Sequence, residues 1–371
     1  MSVRIPDAVR SAAAASRGPV LLYDLAAIAA RLAAVRAAAA AAGVEVVAAV
    51  KALGVPDIAA AAAAALDGLD LAGPDEDRAV GPAVGLVSVT YPGGATAARL
   101  AALVRPGRRV VVTCETPAQV AAAATVVGVE ILARVSTSAL GELAPGGIRD
   151  AAGGHASRFG VDRDQLRALC AAAPGRIRGL HLHGGPLAVS PARRAARAAA
   201  ALALADAAGV AVARLDLGGA LHGFALAAPA AGQATLAAAL AAVRAVVPAS
   251  VELCVEPGRA LTEGCGYAAG QVLAARAVAG HEARVLELSR LCHLRWSTPV
   301  LGGAPVAAGA GRRVVLLGAT CCEDDVIGDP VVADDDVVAV GTRLVLASVS
   351  SYAAAWNHGF AGVPPAQVVV V

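Results

Sequence analysis

Lys51 is the residue that most clearly suggests chemistry, because it lies near the end of the apolar run Val44–Leu53, which is typical of a fully buried strand. Burying an ammonium group without a partner is costly, and the usual relief for a lysine is a lowered pKa that leaves a neutral amine. A neutral lysine amine is a nucleophile that forms Schiff bases with carbonyl compounds. The alternative is a lysine whose charged end reaches the surface while its methylenes stay buried.

Three more predicted strands end in groups that suggest chemistry. They end in His181-Leu182-His183-Gly184-Gly185, in Asp216-Leu217-Gly218-Gly219 and in Glu256-Pro257-Gly258-Arg259. Each has a structural alternative: the histidines as core residues on one strand face, the glycines as a tight turn, and Glu256 with Arg259 as a salt bridge. In the functional interpretation, the glycine amides approach a phosphate. An amine, imidazoles, a glycine turn and a carboxylate, all at strand ends, favour one active site.

The elements that would position these groups alternate between β-branched runs and alanine-rich stretches from Val44 to about Gly258. The predicted strands are Val44–Leu53, Leu69–Gly73, Gly85–Tyr91, Arg108–Cys114, Glu130–Ser136, Ile177–Gly184, Arg214–Gly219 and Val251–Pro257. The predicted helices include Pro56–Leu66, Ala95–Leu103, Thr116–Val126, Asp164–Ala172, Pro191–Ala208 and Thr235–Val246. Eight strands with helical crossovers indicate a (β/α)8 barrel of the TIM type, although a doubly wound sheet shares the local pattern. Such barrels carry their reactive groups at the C-terminal ends of the strands.

After Gly258 the pattern changes to Val- and Gly-rich segments with little helical periodicity. The candidate strands here are Tyr267–Val278, Ala283–Leu288, Arg312–Leu317, Asp336–Ala347 and Gln367–Val371. They predict a separate, mostly antiparallel β domain. We therefore expect a barrel over residues 20–258 and a β domain over residues 259–371, with residues 1–19 as a candidate addition to the latter.

Composition gives no reason to expect nucleic acid or a membrane as a partner, since the net charge is +2 and the pI about 8.2. The longest stretches without Asp, Glu, Lys or Arg, Leu217–Val243 and Leu344–Val371, are interrupted by other polar residues, Gly or Pro and do not predict a spanning helix. Residues 1–18 lack the apolar core of a signal peptide, so we expect a cytoplasmic protein. Seven cysteines without paired spacing or a His/Cys cluster argue against disulfides, and we expect no metal.

The barrel motifs resemble those of the fold type III pyridoxal-phosphate (PLP) decarboxylases that act on ornithine, arginine, lysine and diaminopimelate, whose fold is alanine racemase-like. The matching segments are Val50-Lys51-Ala52, Gly68-Leu69-Asp70-Leu71-Ala72 with Glu76, Ser157-Arg158-Phe159-Gly160, His183, Leu215-Asp216-Leu217-Gly218-Gly219 and, most specific, Glu256-Pro257-Gly258-Arg259. The resemblance implies that Lys51 holds the cofactor, that His183 stacks on the pyridine ring and that Glu256 meets the pyridine nitrogen. It also implies a phosphate site that uses Gly218, Gly219, Gly258, Arg259 and Tyr352.

The resemblance continues to the C-terminus. Gly318-Ala319-Thr320-Cys321 with Asp325 is similar to the family's G-P-T-C-x-x-x-D loop, Val349-Ser350-Ser351-Tyr352 to its G-A-Y segment and Phe360-Ala361-Gly362 to its F-N-G segment. It implies that Cys321 is catalytic and protonates the product carbanion in the partner subunit's site, and that Tyr352 reaches the phosphate. A site shared in this way requires a homodimer.

Departures from the family pattern concentrate around the substrate. Where diamine decarboxylases have an aspartate and diaminopimelate decarboxylases a glutamate after the loop cysteine, this chain has Cys322, followed by Glu323. Arg290 fits the family's carboxylate-binding arginine, but the proline and tyrosine of its R-P-x-L-Y motif are absent. Pro186 also replaces the phosphate-binding serine of H-x-G-S. The candidate substrate residues are Arg290, Cys322, Glu323 and Asp325.

We therefore expect a PLP-dependent decarboxylase, a carboxy-lyase, of an amino acid or of a modified or conjugated amino acid, as in specialised metabolism. Free ornithine, lysine and diaminopimelate are not the expected substrates. Glu256 favours decarboxylation over racemisation, because the alanine racemases of this fold have an arginine at the pyridine nitrogen. Two alternatives stay open: other chemistry on the same lysine-bound cofactor (a racemase, eliminase or retro-aldol lyase) and a catalytically silent PLP-binding protein.

Overall fold

The computed structural model describes residues 3–142, 147–149, 154–183, 190–221, 229–303, 311–333 and 336–371. Its strands are β1 Val20–Tyr23, β2 Val44–Ala49, β3 Gly68–Leu71, β4 Leu86–Val89, β5 Arg109–Cys114, β6 Val129–Val135, β7 Ile148–Arg149, β8 His155–Ala156, β9 Ile177–Leu182, β10 Arg214–Asp216, β11 Glu252–Val255, β12 Gly266–Val278, β13 His281–Leu286, β14 Val300–Leu301, β15 Arg312–Arg313, β16 Val315–Leu317, β17 Val326–Gly328, β18 Val331–Val332, β19 Arg343–Ala347 and β20 Gln367–Val370. Its α-helices are α1 Asp7–Ala15, α2 Leu25–Ala41, α3 Pro56–Ala65, α4 Ala97–Leu103, α5 Pro117–Ala124, α6 Arg163–Ala172, α7 Pro191–Ala208, α8 Pro229–Arg244, α9 Arg259–Thr262 and α10 Tyr352–Ala355. Short 3-10 helices cover Val50–Ala52, Pro74–Ala79, Ser138–Leu140 and Asp336–Val338.

Eight parallel strands form a closed barrel, in the order β2-β3-β4-β5-β6-β9-β10-β11, and β11 pairs with β2. The predicted (β/α)8 barrel is confirmed. The observed strands stop earlier than the predicted ones, so that Lys51, His183, Gly218 and Glu256 all lie just beyond the last paired residue of β2, β9, β10 and β11. Because these residues lie beyond the paired strands, their side chains do not have to alternate between the two faces of the sheet. All four lie at the C-terminal end of the barrel.

The opposite end of the barrel is held by a network of ion pairs near the first residues of the strands. Arg109 lies 2.9 Å from Glu45, 3.2 Å from Glu130 and 2.7 Å from Glu252. Arg214 pairs with Glu45 at 2.5 Å and Glu252 at 3.1 Å. Because every member of this network has a partner of opposite charge, the N-terminal end has a structural explanation. The chemistry is to be sought at the other end.

Gly179 in β9 is required because the neighbouring strand passes close to it. A Cβ atom at this position would lie 1.8 Å from the carbonyl oxygen of Arg214, and the backbone of a barrel strand has no room to move aside. We expect Gly179→Ala to lower the free energy of unfolding by about 3 kcal/mol. Gly85→Ala is the matched control, since nothing lies within 4 Å of its added Cβ and its φ is outside the left-handed region. Denaturant unfolding of both variants measures the difference, and equal stabilities would contradict the close packing.

The second sheet has the order β14-β19-β12-β13-β16-β17, with β1 paired to both β12 and β20. The predicted, mostly antiparallel β domain is confirmed. The strand Val20–Tyr23, however, belongs to this sheet and not to the barrel, because it pairs antiparallel with β12 from Val20↔Ala269 to Tyr23↔Gly266. Val20 and Leu22 of this strand pack in a cluster with Ile5 and Val9 of the N-terminal segment.

Two compact units divide the chain. The β unit comprises Met1–Ala30, Ala52–Ala59 and Thr262–Val371, and the barrel unit comprises Arg31–Lys51 and Ala60–Leu261. We expected boundaries at residues 20 and 258; in this division, residues 20–30 group with the β unit and residues 259–261 with the barrel unit. Among the helices within the described ranges, none has both the length and the apolar character needed to cross a membrane.

Candidate active site

Lys51 lies in the short turn Val50–Ala52 that follows β2. Its amine is 3.3 Å from the Oδ2 atom of Asp70, which is fully buried, whereas the lysine side chain is 34% exposed. Thr90 Oγ1 donates a hydrogen bond of 2.8 Å to the other Asp70 oxygen. Lys51 is thus partly exposed and paired with a carboxylate, and it lies beyond β2, which ends at Ala49. This carboxylate fixes the direction in which the amine points.

Glu256 follows β11 directly and is a buried carboxylate. His181 Nε2 lies 3.2 Å from its Oε2 atom. Glu256 Oε1 has no hydrogen-bond partner among the described residues. Burial raises the pKa of Glu256, nearby Asp70 adds to the rise, and the cations of Lys51 and Arg134 oppose it. Glu256 Oε1 is thus a buried acceptor oxygen that a proton or a cationic N–H group would satisfy.

The two histidines of β9 and its extension have parallel rings, with centroids 6.4 Å apart and an angle of 3° between the planes. Burial lowers the pKa of His181 to about 4 and that of His183 well below its ordinary value. Both imidazoles are therefore neutral at pH 7. A neutral His181 with its proton on Nε2 donates to Glu256 and keeps that carboxylate in place.

The glycine turn after β10 is buried and has a structural reason. Gly218 has a φ of +62°, and a Cβ there would lie 2.3 Å from the carbonyl oxygen of Leu182. Its N–H donates to Asp216 Oδ1 over 2.8 Å, and the Gly219 N–H is 3.5 Å from His183 Nδ1. Burial, with Glu256 nearby, raises the pKa of Asp216 to about 7. The tight-turn interpretation is thus correct, and the phosphate role stays a prediction.

Arg134 is a buried cation of β6 that the sequence analysis did not single out. Its guanidinium is 3.3 Å from Glu115 and lies over the ring of Phe159, 4.2 Å from its centroid. Glu115 in turn accepts a 2.6 Å hydrogen bond from the Gly160 N–H. Phe159 and Gly160, at the end of the segment Ser157–Gly160, therefore help to hold Arg134 in place. The negative charges of Asp70 and Glu256 act on the Arg134 guanidinium and raise its pKa, against the lowering by burial.

Three buried groups in the barrel could also be considered as metal ligands. Donor atoms of His181, Asp216 and Glu256 lie within 4.8 Å of one another. His181 and Glu256 already bond to each other, and Asp216 accepts from Gly218. The positions of all three are therefore accounted for without a cation.

In the β unit, the loop that carries Cys321 is fixed by Asp325. The buried Asp325 carboxylate accepts hydrogen bonds from Thr320 N (3.0 Å), Thr320 Oγ1 (2.7 Å) and Arg290 N (2.7 Å). A Cβ at Gly318 would lie 2.1 Å from the same carboxylate, so this position requires glycine. Both Asp325 oxygens are thus engaged by the loop itself, and a direct substrate contact for Asp325 stays only a prediction.

The remaining residues of this loop face outward. Cys321, Glu323 and Arg290 are exposed, and Cys322 is half-buried. Exposure leaves the Cys321 thiol accessible to a group outside its own unit. The vicinal position of Cys322 puts a second thiol, and not a carboxylate, next to it.

Tyr352 is buried at the start of α10, with its ring edge-on to Trp296 at a centroid distance of 4.8 Å. The preceding Ser351 donates from its hydroxyl to the carbonyl oxygen of Ala52, within the same unit. Ala52 follows Lys51 in the chain, so the β unit includes the backbone directly after the lysine.

Gly258 and Arg259 are half-buried at the start of the four-residue helix α9. Their phosphate role, like that of Tyr352, stays a prediction. Gly184, Gly185 and Pro186 lie outside the described residues.

The barrel unit therefore brings together Lys51, Asp70, Arg134, His181, His183, Asp216, the glycine turn and Glu256. Sequence reasoning did not assign Asp70 and Arg134 to the site, although Asp70 is a charged residue inside an otherwise apolar strand, which is the same signal that identified Lys51; Arg134 shares its strand with Glu130. Cys321, Arg290, Cys322, Glu323, Asp325 and Tyr352 lie in the β unit.

The fold and the lysine-bearing end define an α/β-barrel protein with a second, antiparallel β unit. No protein-family model and no curated protein matches the sequence. Solved structures match over nearly the whole chain. The Paramecium bursaria Chlorella virus arginine decarboxylase bound to agmatine is 18% identical, with a TM-score of 0.76, and the match covers 98% of this chain and 99% of that one.

Two further structures share the fold. The lysine/ornithine decarboxylase from Vibrio vulnificus complexed with cadaverine is 20% identical, with a TM-score of 0.76 and full coverage of both chains. The carboxynorspermidine decarboxylase from Campylobacter jejuni complexed with norspermidine is 14% identical, with a TM-score of 0.70, covering 96% of this chain and 94% of that one. At these identities the likeness establishes the fold.

Proposed function

We propose that this chain is a PLP-dependent decarboxylase of an amino acid or a modified or conjugated amino acid. The observation that carries the proposal is that one end of the barrel holds both the Lys51 amine, paired with Asp70, and the buried Glu256, whose Oε1 atom has no donor among the described residues. A pyridinium N–H is the kind of group that such an oxygen accepts. The shared fold supports the proposal, and one structure of this fold is a complex with PLP.

The residues present fit the cofactor in their chemistry. Lys51 offers the amine that would bind its aldehyde carbon, and Asp70 would keep this amine directed. Glu256, held by His181, would accept the proton-bearing ring nitrogen, and His183 would lie against the ring. Gly218, Gly219, Gly258, Arg259 and Tyr352 are the groups that we assign to the phosphate. When bound, PLP supplies an electron sink for the pair of electrons that the departing carboxylate leaves behind.

The chain's own residues account for the remaining steps. His181, which is neutral at pH 7, would donate from Nε2 to Glu256 and leave the other oxygen of this carboxylate to accept the ring N–H. Protonation of the substrate carbon after loss of carbon dioxide needs an acid, and we assign the accessible thiol of Cys321 from a partner subunit to it. Lys51 would then recover the cofactor as the product amine leaves.

The assignment of Cys321 includes a homodimer with shared sites, and complementation tests it. Lys51→Ala and Cys321→Ala chains should each be inactive, whereas co-expressed chains form heterodimers with one intact site. A random mixture is expected to recover about a quarter of the wild-type rate. The rate of carbon dioxide release by the purified mixture measures this. No recovery from a mixture shown to contain heterodimers would contradict a shared site.

For the substrate, we propose an amino acid whose distal group is not a simple ammonium. Cys322 cannot pair with an ammonium, and an unpaired buried charge costs about 3 kcal/mol or more, which is a discrimination of over a hundredfold. Ornithine, lysine and diaminopimelate are therefore poor candidates. The neighbours of this fold include a decarboxylase for carboxynorspermidine as well as for simple amino acids.

The visible absorption spectrum of the purified protein, before and after borohydride, is the test of the cofactor. A yellow chromophore that borohydride fixes onto Lys51, located by peptide mass mapping, is the expected result. Carbon dioxide release from a panel of free and conjugated amino acids then tests the reaction. A colourless protein that takes up no added PLP overturns the proposal, and exchange of the substrate's α-proton without carbon dioxide release would move it to the racemase alternative.

A further inference from the structure

Arg194 in α7 is a buried arginine that the reaction outlined above does not use. Its side chain is 2% exposed, and its Nε atom has no hydrogen-bond partner among the described residues. The Nη atoms donate to the carbonyl oxygens of Gly219, at 3.3 Å, and of Ala220, at 3.0 Å. In the described part of the chain no carboxylate pairs with it, since Glu142 is engaged by Arg193 and Arg197. A buried positive charge thus lies behind the glycine turn with only carbonyl dipoles to offset it.

Such a charge is costly unless an anion lies near it. Burial and the neighbouring Arg197 lower the pKa of Arg194 only to about 10, so the guanidinium stays charged at neutral pH. An anion on the far side of the turn would offset this charge across a few ångströms of low-dielectric protein. The arginine therefore points to a resident anion at the turn.

The backbone of the turn indicates where that anion would bind. In a trans peptide the carbonyl and the following N–H point in opposite directions, and the described chain has no cis peptide bond. Because Arg194 holds the carbonyls of Gly219 and Ala220, the N–H groups of Ala220 and Leu221 face away from it. Neither N–H has an acceptor among the described residues.

Ala220 adds a second sign of constraint. Its φ is +60°, in the left-handed region that an alanine occupies only at a cost. Consecutive N–H groups around a left-handed residue form a concave anion-binding nest. The hydrogen bond from Arg194 to the Ala220 carbonyl, both within the described residues, stabilises this conformation.

We propose that Arg194 is a positioning residue for the cofactor phosphate: it turns the N–H groups of Ala220 and Leu221 toward the phosphate and places a buried positive charge behind them. This inference rests on the proposed PLP function. It also explains how a chain with Pro186, which offers neither a hydroxyl nor an N–H, could retain phosphate affinity. The glycines of the turn would allow the phosphate to come close to the backbone, and Arg194 would orient the N–H groups that bind it.

The test compares pyridoxal 5'-phosphate with pyridoxal, which lacks the phosphate. Both bind through the aldehyde, so the ratio of their dissociation constants, measured by absorbance titration, isolates the phosphate contribution. Arg194→Met is expected to weaken PLP binding about tenfold or more while leaving pyridoxal binding unchanged. Arg193→Met, on the same helix and with a side chain that is 62% exposed, is the matched control and should keep the wild-type ratio.

The outcomes separate this inference from the proposed function. A wild-type protein that binds neither compound overturns both. A wild-type protein that prefers PLP, with the same preference in Arg194→Met, overturns the role of Arg194 alone. Arg194→Lys keeps the charge but cannot bridge two carbonyls, so it should lose part of the preference. If Arg194→Met does not fold, the lysine variant decides by itself, and an unchanged ratio there overturns the inference.

Discussion

The Lys51→Ala protein is expected to carry no chromophore that borohydride can fix, and to release carbon dioxide at least about a thousandfold more slowly than the wild type. The reason is that Lys51 Nζ is the amine at the C-terminal end of the barrel that we propose for the cofactor aldehyde. Its partner Asp70 cannot replace it, because a carboxylate does not form this bond. Absorbance near the visible cofactor band and single-turnover carbon dioxide release measure the two effects.

Lys51→Arg separates the nucleophile from the charge. Asp70 is fully buried, so removing the cation beside it leaves an uncompensated carboxylate, and Lys51→Ala should also be less stable than the wild type. Arginine restores the cation, but its guanidinium stays protonated and is not a nucleophile. We expect Lys51→Arg to be closer to wild type in stability and still inactive. An active arginine variant would contradict the role of Lys51.

A residue of this site could be predicted from the sequence only where it stands out from its neighbours in the chain. Lys51 interrupts an apolar run, and Glu256-Pro257-Gly258-Arg259 is a specific motif, so both could be identified. Asp70 interrupts an apolar run in the same way, and Arg134 lies in a strand that also has Glu130, but a charge in a strand is equally compatible with an exposed edge. Only barrel closure, which joins β11 to β2 and so brings β3, β6 and β11 into one ring, shows that the charges of Asp70 and Arg134 act on Glu256.

The fold shows a similar division. Eight predicted strands separated by helical stretches were enough to predict the barrel, because each strand and crossover is a local feature. The sheet to which Val20–Tyr23 belongs could not be predicted in this way, since its partner strands Gly266–Val278 and Gln367–Val370 are more than two hundred residues away in sequence. A short apolar strand fits a barrel or a sheet equally well, and long-range pairing decides between them.

Glu256→Gln is expected to keep the Lys51-bound chromophore but to release carbon dioxide about a hundredfold or more slowly. Glutamine has nearly the same shape and is still within reach of His181, so the barrel should keep its packing. It cannot, however, carry the negative charge that keeps a ring nitrogen protonated. Glu263→Gln is the matched control, because Glu263 is also fully buried but lies in the β unit, and it should retain a rate within a few fold of wild type.

We also expect Glu256→Gln to change how the stability of the cofactor-free protein depends on pH. Folding raises the pKa of Glu256 from its ordinary value of 4.5, and that of Asp216 from 3.8 to about 7. A carboxyl group with a raised pKa binds its proton more tightly in the folded state, so its stabilising contribution is present at low pH and is lost as the pH rises through that range. His181, whose pKa is lowered, acts in the opposite direction, but it is common to both proteins.

The informative quantity is therefore the difference between variant and wild type. Thermal unfolding between about pH 5 and pH 8 should show Glu256→Gln gaining stability relative to the wild type as the pH rises. Added PLP should reverse this order, because a ring N–H on Glu256 favours the ionised carboxylate that glutamine lacks. A gain in the cofactor-free protein without reversal by PLP would mean that Glu256 is a strained buried acid that does not meet the ring. In that case the electron sink, and with it the preference for decarboxylation over other chemistry, would lose its structural basis.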